Sequence, residues 1–218
     1  MSFAFANKLG ENVSESYNPY DAYQNHNYNQ KKELCLISDN RVINILDTKM
    51  ISVKWAISCA KHVLHLFEEQ YPDDKKPRKS IEAASNWIKD PSEKNRMVCK
   101  DAYVDSYTSS RINNITKSAA YAAYASNSAA YAVYYSSFVA AYFAASDASI
   151  ASPNKYLEIK WQRKKLNQIV YEDILLAFVM TQYQRIDNKL AKREVSLSTS
   201  LVRKIPKELL EYIASFIY

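Results

Sequence analysis

A single glycine, Gly10, in 218 residues limits this chain more than any other feature. Phosphate-cradling loops need glycine where backbone must approach a ligand. No Walker loop, dinucleotide fingerprint or nucleophile elbow can therefore be written in it. Tight primed hairpins lean on the same residue. A chain almost without glycine and rich in alanine is expected to be all-α. Its length suits one large domain with tails, and with 48% hydrophobic residues it can bury a core without disulfides or a structural metal.

Cys35, Cys59 and Cys99 are odd in number and widely spaced, with no CxxC. That pattern reads as reduced thiols in a cytosol-like compartment. The opening Met1-Ser-Phe-Ala-Phe-Ala-Asn-Lys8 lacks the basic start and long apolar stretch of a signal peptide, so a cytoplasmic protein is expected. The formal net charge is +6. A basic cluster at Lys155, Lys160, Arg163, Lys164 and Lys165 leaves a nucleic-acid-associated helical protein as one reading. Aromatic interleaving there is thin, with Tyr156 and Trp161 alone.

Residues 1–30 are polar and aromatic without an apolar period, as in Tyr17-Asn-Pro-Tyr20, and are expected to form a disordered leader. A helical domain is expected over residues 31–188. Leu34, Ile37, Val42, Ile43 and Leu46 form a broken apolar stripe. Val53, Ala56, Ile57, Ala60, Val63, Leu64 and Phe67 follow at spacings of three and four, predicting one long helix over residues 50–70. Tyr71-Pro72 stops it. Pro77 suits a first helical turn, and Ile81, Ala84, Trp87 and Ile88 give the next buried stripe. Ser92 is a plausible N-cap for a helix over residues 93–110.

Residues 118–150 carry one charge, Asp147, and a local duplication: Ser118-Ala-Ala-Tyr-Ala-Ala-Tyr-Ala-Ser-Asn127, then Ser128-Ala-Ala-Tyr-Ala-Val-Tyr-Tyr-Ser-Ser137. Tyr124, Tyr131, Tyr135, Phe138 and Tyr142 share one helical stripe with Tyr121 at its edge. Such a stripe is expected to be core more than binding surface. One helix of this length would span about 50 Å, so a break is placed near Ser126-Asn127, with Asn127 or Ser128 capping the second helix. A membrane span does not suit a stretch without leucine and full of Ser, Asn and Tyr. Ser152-Pro153 opens a further helix carrying Tyr156, Leu157, Trp161, Leu166, Ile169 and Val170. Residues 189–204 read as a linker, and residues 205–218 as an amphipathic helix.

Cys59, His62 and His65 lie three apart on one predicted helix. Two of them could hold a metal, but a closed site needs ligands from elsewhere. A Cys–His nucleophile would need a thiolate, an orienting group and an oxyanion hole, with little room on adjacent turns. No cofactor, metal or catalytic residue is therefore assigned. Asp73, Asp74 and Asp90 suit helix ends better than acid–base work.

The positions Trp55, Cys59, Ala60, His62, Val63, Leu64, Phe67, Glu68, Tyr71, Pro72, Asp74, Pro77, Ile81, Glu82, Ala83, Ala84 and Trp87 form a recognisable pattern. With them go the alanine-rich middle and Glu158, Trp161, Gln162 and Leu166. The segment over residues 33–180 resembles the immunity-protein family of bacterial polymorphic toxin systems, all-helical proteins that neutralise a cognate toxin. The resemblance implies a non-enzymatic protein that binds and occludes a protein partner. It departs in the middle, where that family interleaves alanine with basic residues and His, and this chain uses Tyr. The C-terminal run Ile205-Pro206-x-Glu208-Leu209-Leu210, with Ile213 and Phe216, is similar to the opening of an F-box. That second resemblance implies an adaptor whose last helix recruits a ubiquitin-ligase component. The expected architecture is a compact bundle of about seven or eight helices around an Ala/Tyr-rich central pair.

Overall fold

Asp47 starts the helical body: its Oδ1 accepts from the Met50 N–H at 2.9 Å, a side-chain cap on the first helix, α1 (Thr48–Glu68). The computed structural model describes residues 2–6, 20, 33–38, 41–135 and 138–190. Five further helices follow: α2 (Lys76–Lys89), α3 (Glu93–Ser109), α4 (Lys117–Tyr135), α5 (Phe138–Ala151) and α6 (Lys155–Leu190). Six helices are thus seen among the described residues, where seven or eight were expected. No helix among the described residues is long and apolar enough to cross a membrane.

The helical start from residue 31 and the fully disordered leader do not hold. Three strands precede α1: β1 (Ser2–Ala6), β2 (Glu33–Ser38) and β3 (Arg41–Ile45). They form one antiparallel sheet in the order β1-β2-β3. Phe5 stands opposite Leu34 and Cys35 opposite Ile45, with a register irregularity between Leu36 and Ile37. Leu, Ile and Val fall on both alternations of β2 and β3, so no period of two is visible in the sequence. Leu34 ties the sheet to α1, since its N–H donates to Thr48 Oγ1 at 2.8 Å and its carbonyl accepts from the Leu46 N–H at 2.8 Å.

The chain forms two compact units that divide after Asn167, within α6. In the first unit, residues 1–167, α1 packs on α2, α4 and α5, and α4 on α3, α2 and α5. Alanine lines the buried faces of α4 and α5. Ala119, Ala122, Ala123, Ala129 and Ala130 of α4, and Ala140, Ala141, Ala144 and Ala148 of α5, are wholly buried. Methyl-sized side chains allow helix axes to approach closely. Residues 168–190 of the second unit continue α6, with an i,i+4 bond from Gln168 Nε2 to Glu172 Oε1 at 2.8 Å.

The break expected near Ser126-Asn127 is absent, and α4 runs unbroken to Tyr135. Asn127 does not cap. Its buried amide donates to the Tyr103 carbonyl at 2.5 Å and to Ser106 Oγ at 3.1 Å, clamping α4 to α3. Ser92 caps α3 as expected, accepting from the Asn95 N–H at 3.4 Å. Asn154, not Ser152-Pro153, starts α6, its Oδ1 accepting from the Leu157 N–H at 3.1 Å. Asn114, between α3 and α4, holds φ 62°, a left-handed conformation that asparagine tolerates well. Helix α6 takes in Lys189 and Leu190, the start of the expected linker. The rest of that linker and the F-box-like helix, with Ile205, Pro206, Leu209, Leu210, Ile213 and Phe216, lie outside the described residues.

Candidate functional site

The family-pattern residues of α1 and α6 converge, although nearly a hundred positions separate them. His62 Nδ1 lies 2.7 Å from Glu158 Oε2. The His62 side chain is 41% exposed, whereas that of Glu158 is 2% exposed. The two atoms are at hydrogen-bond distance, which leaves Nε2 as the ring's remaining polar atom. The ring stacks flat on Trp161, with centroids 3.8 Å apart and planes within 4°. Position and plane of the imidazole are therefore both fixed.

Behind this pair the polar groups satisfy one another. Gln162 Nε2 donates to Glu158 Oε1 at 2.9 Å and to the Ala145 carbonyl at 2.9 Å, with Ser149 Oγ at 3.2 Å. Ser149 Oγ donates to the Ala145 carbonyl at 2.9 Å. Glu158 and Gln162 are buried, and Glu158 also sits in the first turn of α6, where the helix dipole favours a negative charge. Trp55, two turns before His62, is wholly buried and meets the Tyr20 ring edge-on at 6.1 Å. Arg163 of α6 covers that same Tyr20 ring at 5.1 Å.

Cys59 lies one turn from His62 and is fully buried. Burial first, and the nearby Glu158 charge second, push its thiol well above the usual range. A protonated, enclosed thiol is no nucleophile. His65 faces elsewhere, into a cleft of about 550 Å³ between α1 and α2 that Lys61, Glu68, Arg78 and Lys89 also line. Glu68 and Arg78 pair there through two bonds of 2.6 Å. Cys59, His62 and His65 thus do not share a site, and no group of three potential metal ligands occurs among the described residues.

The remaining pattern residues hold the α1–α2 connection. Phe67 is wholly buried and its ring lies 5.3 Å from that of Tyr71. Pro72 is exposed, and Pro77 is buried in the first turn of α2. Asp74 accepts from the Lys76 N–H at 3.0 Å and from Ser109 Oγ at 2.7 Å, joining the start of α2 to the end of α3. Asp90 accepts from Ser92 Oγ at 3.1 Å and Asn95 Nδ2 at 3.0 Å. Both acids serve helix ends. Trp87 is buried, and the Lys49 ammonium lies 4.5 Å from its ring.

The tyrosine stripe is not core. Alanine fills the interior, and the tyrosines of α4 stand on its flank beside α3, half-buried or exposed. Tyr131 lies between Tyr103 at 4.9 Å and Tyr135 at 4.3 Å. Tyr124 lies 6.2 Å from Tyr107 and 6.0 Å from Tyr121. A tyrosine would not fit between helices spaced by methyl groups. Ser149 and the α3 tyrosines are missed by sequence reasoning, because one serine among many carries no signal and α3 shows no clear apolar stripe.

No curated protein and no solved structure matches the chain. A family model described as Imm-5 like putative immunity protein matches residues 45–169, more than half of the chain. That span runs from the end of β3 through the His62–Glu158–Gln162 network, and the chain belongs to this immunity-protein family.

Proposed function

We propose that this chain is a non-enzymatic binding protein that neutralises a toxin by covering it. One observation carries this reading. The residues that look most like chemistry, Cys59, His62, Glu158 and Gln162, spend their polar atoms on one another or lie enclosed, and so build a rigid scaffold. A preorganised helical surface loses little entropy on binding, which suits tight occlusion. Stacked against Trp161, the partly exposed His62 edge offers a fixed polar anchor on that surface.

Stoichiometry tests the proposal. The chain is to be co-expressed with toxins of polymorphic toxin systems, and growth followed as the ratio of the two proteins is varied. Occlusion requires protection to fail once toxin exceeds binder, and a one-to-one complex to survive gel filtration. Protection by far less binder than toxin would mean turnover, and would refute the binding reading. Cys59→Ala is expected to protect as well as the native chain.

A further inference from the structure

We propose that the tyrosine ladder on α3 and α4 is the docking surface of this protein, and that its occupant is a protein face rich in carboxylates. This rests on the toxin-binding reading and names the surface that performs it. Tyr103 and Tyr107 of α3 face Tyr121, Tyr124, Tyr131 and Tyr135 of α4. Tyr135 is 54% exposed. Along α3, Lys100, Tyr103 and Tyr107 follow at spacings of three and four. Tyrosine supplies large contact area at low entropic cost and is enriched among residues that dominate binding energy.

Charge decides the occupant. Cations stand over the rings at both ends of the ladder. Arg96 and Lys100 lie 4.9 and 5.6 Å from the Tyr134 centroid. At the other end Arg111 lies 4.5 Å from Tyr107, and Lys117 lies 6.0 Å from Tyr121. Glu93 is the acid on this edge, and Arg96 holds it through two bonds of 2.6 Å. Asp101 and Asp105 sit two residues to either side of Tyr103, which places each about 160° round the helix from it. The face is therefore positive, and two copies of it would set cation against cation.

Ring geometry separates a carboxylate-bearing protein from a nucleic acid. Single-stranded nucleic acid binds aromatic side chains through their open faces. Here cations cover Tyr107, Tyr121 and Tyr134, and Tyr131 packs between Tyr103 and Tyr135. Arg111 donates to the Tyr107 hydroxyl and Arg96 to Glu93, so ring edges and the Lys100 and Lys117 ammonium groups remain for a partner. These are hydrogen-bond donors and positive charges, which recognise carboxylates.

A fluorescein-labelled, glutamate-rich random copolymer of glutamate and tyrosine serves as the probe, read by anisotropy at low and moderate salt. Binding that weakens with salt is expected, and at least about tenfold weaker binding for Lys117→Glu and for Tyr135→Ala. Both positions are exposed, so folding is checked by circular dichroism, and Arg111→Gln stands in if either variant unfolds. Unchanged affinity in the variants would overturn the proposal. So would tighter binding of an oligothymidylate that these substitutions abolish, or a dimer in sedimentation that they dissociate. The probe needs no toxin, so the two readings fail separately. Ladder binding without protection in co-expression refutes the toxin reading, whereas protection untouched by Lys117→Glu and Tyr135→Ala refutes the ladder.

Discussion

Asp147 is the one charge in residues 118–150, and it sits on α5 where burial raises its carboxyl from 3.8 to about 7. The folded chain thus holds a proton that the unfolded chain releases between about pH 4 and pH 7. Stability falls as pH rises through that window and is level above it. A shift of about three units corresponds to a ceiling of about 4 kcal/mol. Residual solvent contact at this half-buried group reduces the expected loss to about 2 kcal/mol. Asp147→Asn keeps the shape and removes the titration. At about pH 8 the variant is expected to be more stable than the native chain by about 2 kcal/mol, or about 4–8 °C in melting temperature. Below about pH 4 the two should coincide, because the native carboxyl is then protonated in both states. Urea unfolding followed by circular dichroism, taken as the difference between the two proteins at each pH, cancels every other titrating group. A difference that is the same at about pH 4 and about pH 8 would show that burial does not penalise this charge.

Two further outcomes test the packing. Ala130→Leu, at a wholly buried α4 position, is expected to cost at least about 2 kcal/mol in urea unfolding, because methyl-spaced helices leave no room for a branched side chain. Glu158→Ala removes the hydrogen-bond partner of His62 Nδ1 and one of the three acceptors around the Gln162 amide, and is expected to cost about 2 kcal/mol by the same assay.

Local patterns of the helical body were legible in the sequence. The spacing of Val53, Ala56, Ala60, Val63 and Phe67 marks α1, Pro77 marks the first turn of α2, and Ser92 caps α3. Side chains that bond sideways were not legible. Asn127 has the chemistry of a cap, yet its amide crosses to α3, so the helix runs on. The strands were hidden because both alternations of β2 and β3 are apolar. Tyrosine periodicity was visible but its direction was not, since alanine left the outer flank to the rings. The meeting of His62 with Glu158 and Trp161 joins positions that no local period relates. The family pattern named these residues, and coordinates place them together.

The alanine packing of α4 and α5 has a consequence for how the surface of such a protein can vary. When methyl groups alone separate two helices, the backbone sets their distance, and no outward-facing side chain takes part in holding it. The rings on the flank can then be exchanged, position by position, without the frame beneath them shifting. Shape is set on one face of the helix, and the opposite flank stays open to change while the frame stays as it was.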